Sequence, residues 1–307
     1  MTRRVIACLS ASILLSGCGA TEQRLSPLSS DAVIEAAEKA PEDGFVKENG
    51  WNEPMAPFTV IGNVHYVGTK TVSAWLITDP KGHILIDSVV PQSAPQIIAN
   101  VKTLGFDPHE VKYLLNSHAH IDHAGGLAGL QRATGALMLA SAADKPFLEA
   151  GDIGHGPSAG AKFPPIRVDR IVKDGDVVRV GKTALTALLM PGHSPGCTSW
   201  TMRAKGADGV DRSIFFHCSA TVAGQSLNPE AYRGIVANFR ASLARARTLK
   251  ADIFLANHEN FFDLHEKRAK QLAGDANAFV DPGELGRFTE AMAEAFEATL
   301  AKQQAPH

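Results

Sequence analysis

A chain of 307 residues with 45% apolar residues can bury a large core. At 20% charged residues and a formal net charge of −2 it carries no Lys/Arg cluster long enough for a nucleic-acid footprint, so no nucleic-acid partner is expected. The length exceeds that of the usual single domain, although α/β enzymes reach it as one unit.

The first eighteen residues read as a targeting segment. Arg3 and Arg4 make a basic start, and Val5 to Leu15 is an apolar stretch too short to cross a hydrocarbon core of about 30 Å. Leu15-Ser16-Gly17-Cys18 follows and looks like a bacterial lipobox, in which the Cys becomes the lipidated first residue. An ordinary secretory signal with Cys18 incidental is the alternative. Either way an exported, periplasmic protein is expected, with Cys18 as the candidate lipid anchor. Cys8 and Cys18 belong to that segment. This leaves Cys197 and Cys218 in an oxidising compartment, where they are expected as two buried free thiols rather than a disulfide.

Residues 19 to 48 are polar and small, and read as a tether, with a short helix over Asp31 to Lys39 capped by Ser or Asp. The main domain is expected over residues 49–307. Its candidate strands are Thr59–Ile61, Val64–Gly68, Ser73–Thr78 and His83–Asp87, with Asp79-Pro80-Lys81-Gly82 as a hairpin turn. Ala94 to Leu104 has helical spacing. A strand over Lys112–Asn116 leads into a histidine-rich run, then a helix over Gly125 to Thr134 that Gly135 stops, then a strand over Leu137–Ala140. Residues 144 to 165 are rich in Gly and Pro and read as a long loop with one helical turn. Further strands fit Arg170–Val172, Val177–Val180, Thr183–Met190, Thr198–Arg203, Ser213–Phe216 and Asp252–Ala256. Helices fit Pro229 to Leu249, with Pro in the first turn, and a C-terminal stripe from Leu285 to Leu300. Strands dominate each half and each half ends in helix. The expected α/β architecture is therefore two mixed sheets back to back with helices on both outer faces, rather than an all-parallel doubly wound sheet.

His118-Ala119-His120-Ile121-Asp122-His123 places three imidazoles and a carboxylate in six residues directly after an apolar run. That density of nitrogen and oxygen donors is what metal binding asks for. Residues two apart on an extended segment project to one side, so His118 and His120 can grip one ion, while Asp122 and His123 aim at a neighbouring point. Gly125-Gly126 lets the backbone turn tightly beside them. One ion needs three or four ligands, so further donors must come from elsewhere. His193, in Met190-Pro191-Gly192-His193-Ser194-Pro195-Gly196, and His258, in Ala256-Asn257-His258, both follow apolar runs and share the address of the first cluster. His65, His83, His109, His155, His217, His265 and His307 lack that context and read as structural or surface residues.

With these motifs the chain resembles the metallo-β-lactamase superfamily, an αββα sandwich. It is most similar to subclass B3 through Trp51-Asn52 to Pro57, Tyr66-Val67-Gly68-Thr69, Ile86-Asp87, Asn116 to His120, Pro191 to Trp200 and Asn228 to Leu243. The resemblance covers about residues 50 to 280. It implies two zinc ions, the first on His118, His120 and His193 and the second on Asp122, His123 and His258. It implies a shared hydroxide that attacks a lactam carbonyl, with Asp122 orienting that nucleophile, and hence a β-lactamase conferring antibiotic resistance. It also implies that Ser219 and Thr221 contact the substrate carboxylate or a metal-bound water. Ile153 and Phe163, on the long loop, are expected to line the pocket.

Other members of that superfamily, the thioesterases, lactonases and phosphodiesterases, typically supply a bridging Asp near the strand that here ends Phe215-Phe216-His217-Cys218-Ser219. The absence of a carboxylate there counts against them. Cys218 lies one residue from a position that carries a Cys ligand in another subclass. No S-x-x-K or H-E-x-x-H motif occurs, which removes the serine-lactamase and zincin routes. A non-catalytic zinc-binding protein is the alternative of a different class. The expected partner is a small-molecule β-lactam, met by a monomer.

Overall fold

Alternation of side chains along extended backbone determines where this chain puts its cores. The structure, a computed structural model, describes residues 26–305, so the expectations for Arg3, Arg4, Val5 to Leu15, Cys18 and His307 lie outside the described residues. Strands β1 (Phe58–Ile61), β2 (Val64–Tyr66), β3 (Trp75–Asp79) and β4 (Gly82–Ile86) form an antiparallel meander. Strands β5 (Val111–Leu115), β6 (Leu137–Ser141) and β7 (Arg170–Val172) add to it in parallel, giving a seven-stranded sheet in sequential order. The second sheet has the order β12-β11-β10-β9-β8. Its strands are β8 (Val177–Val180), β9 (Thr183–Leu189), β10 (Thr198–Lys205), β11 (Asp211–His217) and β12 (Ile253–Ala256). All its pairs are antiparallel except β11 with β12.

Trp75, Ile77, Ile84 and Ile86 point between the sheets and pack with Trp200, Ile214 and Phe216 of the second sheet. Their neighbours Leu76 and Leu85 point the other way, into a separate core under helices α3 (Ala94–Thr103) and α5 (Leu127–Thr134). β3 and β4 are therefore buried on both faces, and both read as nearly continuous apolar runs. Helices α7 (Ile235–Ala246) and α9 (Glu284–Gln304) cover the second sheet, with Phe239 and Phe296 stacked at 4.9 Å. The layering is the αββα sandwich expected from the sequence.

Several details depart from expectation. The segment read as a tether forms the expected helix as α1 (Asp31–Lys39), capped by the Ser30 hydroxyl, and a further helix, α2 (Gly44–Glu48), capped by Asp43. Ile34 and Val46 are buried against the body, so the packed body starts before residue 49. The Pro229 to Leu249 helix begins only at Ile235. Residues 229 to 234 are turns, and the Glu230 carboxylate accepts from Gly234 N at 2.8 Å to cap the helix. The histidine run itself coils into α4 (Ile121–Ala124), and α6 (Lys145–Ala150) supplies the helical turn in the long loop. Helix α8 (Leu264–Leu272) was not anticipated, because it is largely polar and buries only Leu264 and Lys267. Cys197 and Cys218 are not free thiols: they form a disulfide between the start of β10 and the end of β11. The pairing also removes Cys218 as a thiolate donor.

Candidate metal centre

The rim where both sheets end collects the donors. β5 delivers His118 and His120, and α4, entered through His120, carries Asp122 and His123. The strand end is anchored across the sandwich, since Thr198 N donates to Ser117 O at 2.8 Å and the Trp200 indole donates to Asn116 O at 3.2 Å. Asp87 adopts φ +63° and accepts from Ser117 N at 2.6 Å. Gly126 is required by space, because a Cβ there would lie 2.6 Å from Ser88 O. His193 arrives on the β9–β10 turn, fixed by the Tyr232 hydroxyl donating to Gly192 O at 2.7 Å. His258 follows β12 and pairs with Val72 at the first sheet's edge.

These residues converge as two triads. His193 Nε2 lies 3.0 Å from His120 Nδ1 and 3.2 Å from His118 Nε2. Asp122 Oδ2 lies 3.0 Å from His123 Nε2 and 3.2 Å from His258 Nε2, and the two nitrogens are 3.2 Å apart. Donors about 2.0–2.1 Å from one tetrahedral ion sit a little over 3 Å from each other. Both triads match that spacing.

Protonation supports the same reading. His193 Nδ1 donates to Thr221 O at 2.8 Å, so its Nε2 presents a lone pair to two further imidazoles. Burial, reinforced by the neighbouring imidazoles, pushes His118 and His120 well below the ordinary histidine value, and burial takes His193 down to about 4. Three neutral rings thus crowd their nitrogens together, an arrangement that a divalent cation relieves. In the second triad burial alone would raise Asp122, but the His123 and His258 rings hold it well below the usual carboxylate range. His123 is opposed by burial, yet Asp122 and Asp87 raise it to about 9. Its Nδ1 faces Asp87 Oδ2 at 3.6 Å, beyond hydrogen-bond length. Both groups, His118-His120-His193 and His118-Asp122-His123, have the composition and spacing to hold a metal ion.

A cleft of about 330 Å³ opens over the triads. Its apolar side is formed by Phe45, Trp51, Ile121, Pro157 and Phe261, and its polar side by Thr221 and Gln225. Of the residues expected to touch substrate, Thr221 lines the cleft. Ser219 is buried behind it, with its Oγ 3.3 Å from Thr221 Oγ1. Ile153 and Phe163 do not line it. Both are buried, and the long loop presents Pro157, Ser158 and Ala161 instead. Phe45 and Gln225 carry no signal in the sequence, since Phe45 lies in a segment whose composition reads as a tether and Gln225 has no motif around it.

Comparison with known proteins agrees with this geometry. A family model described as the metallo-beta-lactamase superfamily matches residues 67–207. Among solved structures, BJP-1, a subclass B3 metallo-beta-lactamase of Bradyrhizobium japonicum, is 42% identical with a TM-score of 0.80, covering 84% of this chain and 98% of that one. Native FEZ-1 metallo-beta-lactamase from Legionella gormanii is 35% identical with a TM-score of 0.79, covering 83% of this chain and 99% of that one. Among curated proteins, an N-acyl homoserine lactonase AttM of Azorhizobium caulinodans is 31% identical over 43% of this chain and 59% of its own length. A hydroxyacylglutathione hydrolase of Rhodobacter capsulatus is 29% identical over 43% of this chain and 44% of its own length. The chain spans about half the length of the curated relatives it matches.

Proposed function

Because the chain belongs to the metallo-β-lactamase superfamily, we propose that it is a zinc-dependent β-lactam hydrolase of the subclass B3 kind, exported to the periplasm and acting as a monomer. The observation that carries the substrate class is the donor set. β11 ends at His217, and Cys218 and Ser219 after it bring no carboxylate to the two triads, so Asp122, in the second triad, is the carboxylate of the six-residue donor set. His118, His120 and His193 would hold one zinc, and Asp122, His123 and His258 the other. Zinc bound there supplies a water acidified to a pKa of about 7 and a Lewis acid for a carbonyl oxygen.

The remaining work falls to side chains of this protein. Asp122, buried and ionised, would orient the nucleophile. The apolar wall of Phe45, Trp51, Ile121 and Phe261 covers the body of a bicyclic lactam and excludes water. Ser219 Oγ accepts from Thr221 N at 3.4 Å and lies 3.3 Å from Thr221 Oγ1, where either hydroxyl can donate; we assign the donation to Ser219. This leaves the Thr221 hydroxyl proton to point into the cleft at a substrate carboxylate. Among the described residues the cleft lining holds no Lys or Arg, so the metal centre and Thr221 must recognise that anion.

The curated relatives favour a second reading, in which the same centre opens a lactone ring. One experiment separates them. A penicillin, a cephalosporin, a carbapenem and an acyl homoserine lactone are offered to the purified protein with zinc, and again with a chelator. We expect turnover of the lactams that the chelator removes and zinc restores. Turnover confined to the lactone would transfer the assignment to a lactonase. No turnover, with two zincs bound per chain, would leave a thioesterase or phosphodiesterase of the same fold, or a non-catalytic zinc protein.

A further inference from the structure

Gln225 occupies an unusual place. Its side chain is 98% buried, yet it lines the cleft beside His193 and Thr221. Its Nε2 donates to the main-chain oxygen of His193 at 2.7 Å, while its Oε1 is buried with no partner. Leaving one end of a buried amide unpaired offsets part of what its other end contributes. The bond it does make falls on one residue of the first triad.

The same short segment reaches His193 twice. Thr221 O accepts from the ring Nδ1 at 2.8 Å, and Gln225 holds the main chain of the same residue. With both ends fixed, the ring has no freedom to swing Nε2 away from His118 and His120. The segment is in turn tied to the last turn of α9. Gln303 Oε1 accepts from Leu227 N at 2.6 Å, and Gln303 Nε2 donates to Gln225 O at 3.1 Å. Gly156, on the long loop, approaches Gln225 so closely that a Cβ there would meet Gln225 Cγ at 3.2 Å.

We propose that Gln225 is a positioning residue for the first metal triad, clamping His193 from its main-chain side and transmitting to it the anchorage of the C-terminal helix through Gln303. The inference rests on the zinc reading above. It assigns Gln225 no contact with the reacting atoms. Residues that orient a ligand from outside typically change metal affinity by about 10–100-fold when replaced, and that range sets the expectation.

Gln225→Met keeps the length of the side chain, removes the donor and also removes the unpartnered acceptor. It also leaves the main-chain oxygen of His193 without that donor, so a purely structural Gln225 would lower zinc-free stability without weakening one binding step more than the other. The measurement is zinc binding by the full chain in competition with a chromophoric chelator, which resolves the two binding steps, alongside thermal unfolding of the zinc-free protein. We expect one step weakened about 10–100-fold and the other unchanged, whatever the variant loses in zinc-free stability. Gln303→Met should weaken the same step by a smaller factor. Two unchanged steps in Gln225→Met, or two steps weakened equally, would overturn the proposal. A wild-type chain that binds no zinc would instead overturn the zinc reading on which the proposal stands.

Discussion

Asp144 is a fully buried carboxyl that the proposed chemistry does not use. Asn116 Nδ2 donates to its Oδ2 at 2.8 Å, and its main-chain N donates to Ser141 Oγ at 3.1 Å. A Cβ on Gly196 would lie 2.0 Å from its Oδ1, which leaves glycine as the residue that fits beside it. Burial pushes its pKa from 3.8 up to about 7. The folded state therefore binds more protons than the unfolded chain between those values. Stability contributed at this position falls as pH rises from about 4 to about 7, then levels off. Asp144→Asn removes the titration, so its stability relative to wild type should increase across that interval; urea unfolding of both proteins at pH 5 and pH 7.5 measures it. An identical difference at the two pH values would show that Asp144 is ionised throughout. At this scale the donors were legible in the sequence, because His and Asp advertise metal chemistry by type and by their place after apolar runs. Gln225 was not, since an amide carries no such signal and its role depends on His193 and Gln303, each more than thirty residues away.

Among the elements, strands were read to within about two residues wherever turn residues bracketed an apolar run, as at Arg170–Val172 and Val177–Val180. Periodicity failed where tertiary anchoring overrides it. The Pro229 to Ile235 stretch has a helix-start pattern, yet Glu230 accepts from Gly234 N and Val236 N and holds its backbone in turns. Pairing of Cys197 with Cys218 was equally invisible, because it depends on β10 and β11 lying side by side. That disulfide closes a loop of 21 residues, for which chain entropy gives about 3 kcal/mol. Replacing both cysteines by serine should lower the unfolding free energy by that order, and reductant should then have no further effect. An unchanged denaturation midpoint would mean that the β10–β11 ladder alone sets the stability of this corner.

Across the whole molecule, two layers of sheet are held by three separate apolar clusters, and the donors lie along the rim where the layers meet. Zinc that binds only the folded chain stabilises it by mass action, about 4 kcal/mol per site at a free concentration a thousand times Kd. The melting temperature should therefore rise by several degrees with zinc and fall back with a chelator; a flat response would show that the triads bind the ion weakly or not at all. The layered fold was legible because each half of the sequence runs from strands into helix. Helix α1 was legible too, but the docking of the α1–α2 segment was not, because its polar composition hides the two side chains, Ile34 and Val46, that fasten it to the body.

The pairing of Val72 with His258 has a consequence for assembly. The last donor of the second triad sits 135 residues beyond His123 and reaches it only after the final strand has docked against the opposite layer. A growing chain stopped anywhere before that strand holds an incomplete chelate. Capture of the second ion is thus a late event that reports completed tertiary structure, and apoprotein refolded without metal should load that site as fully as protein refolded in its presence.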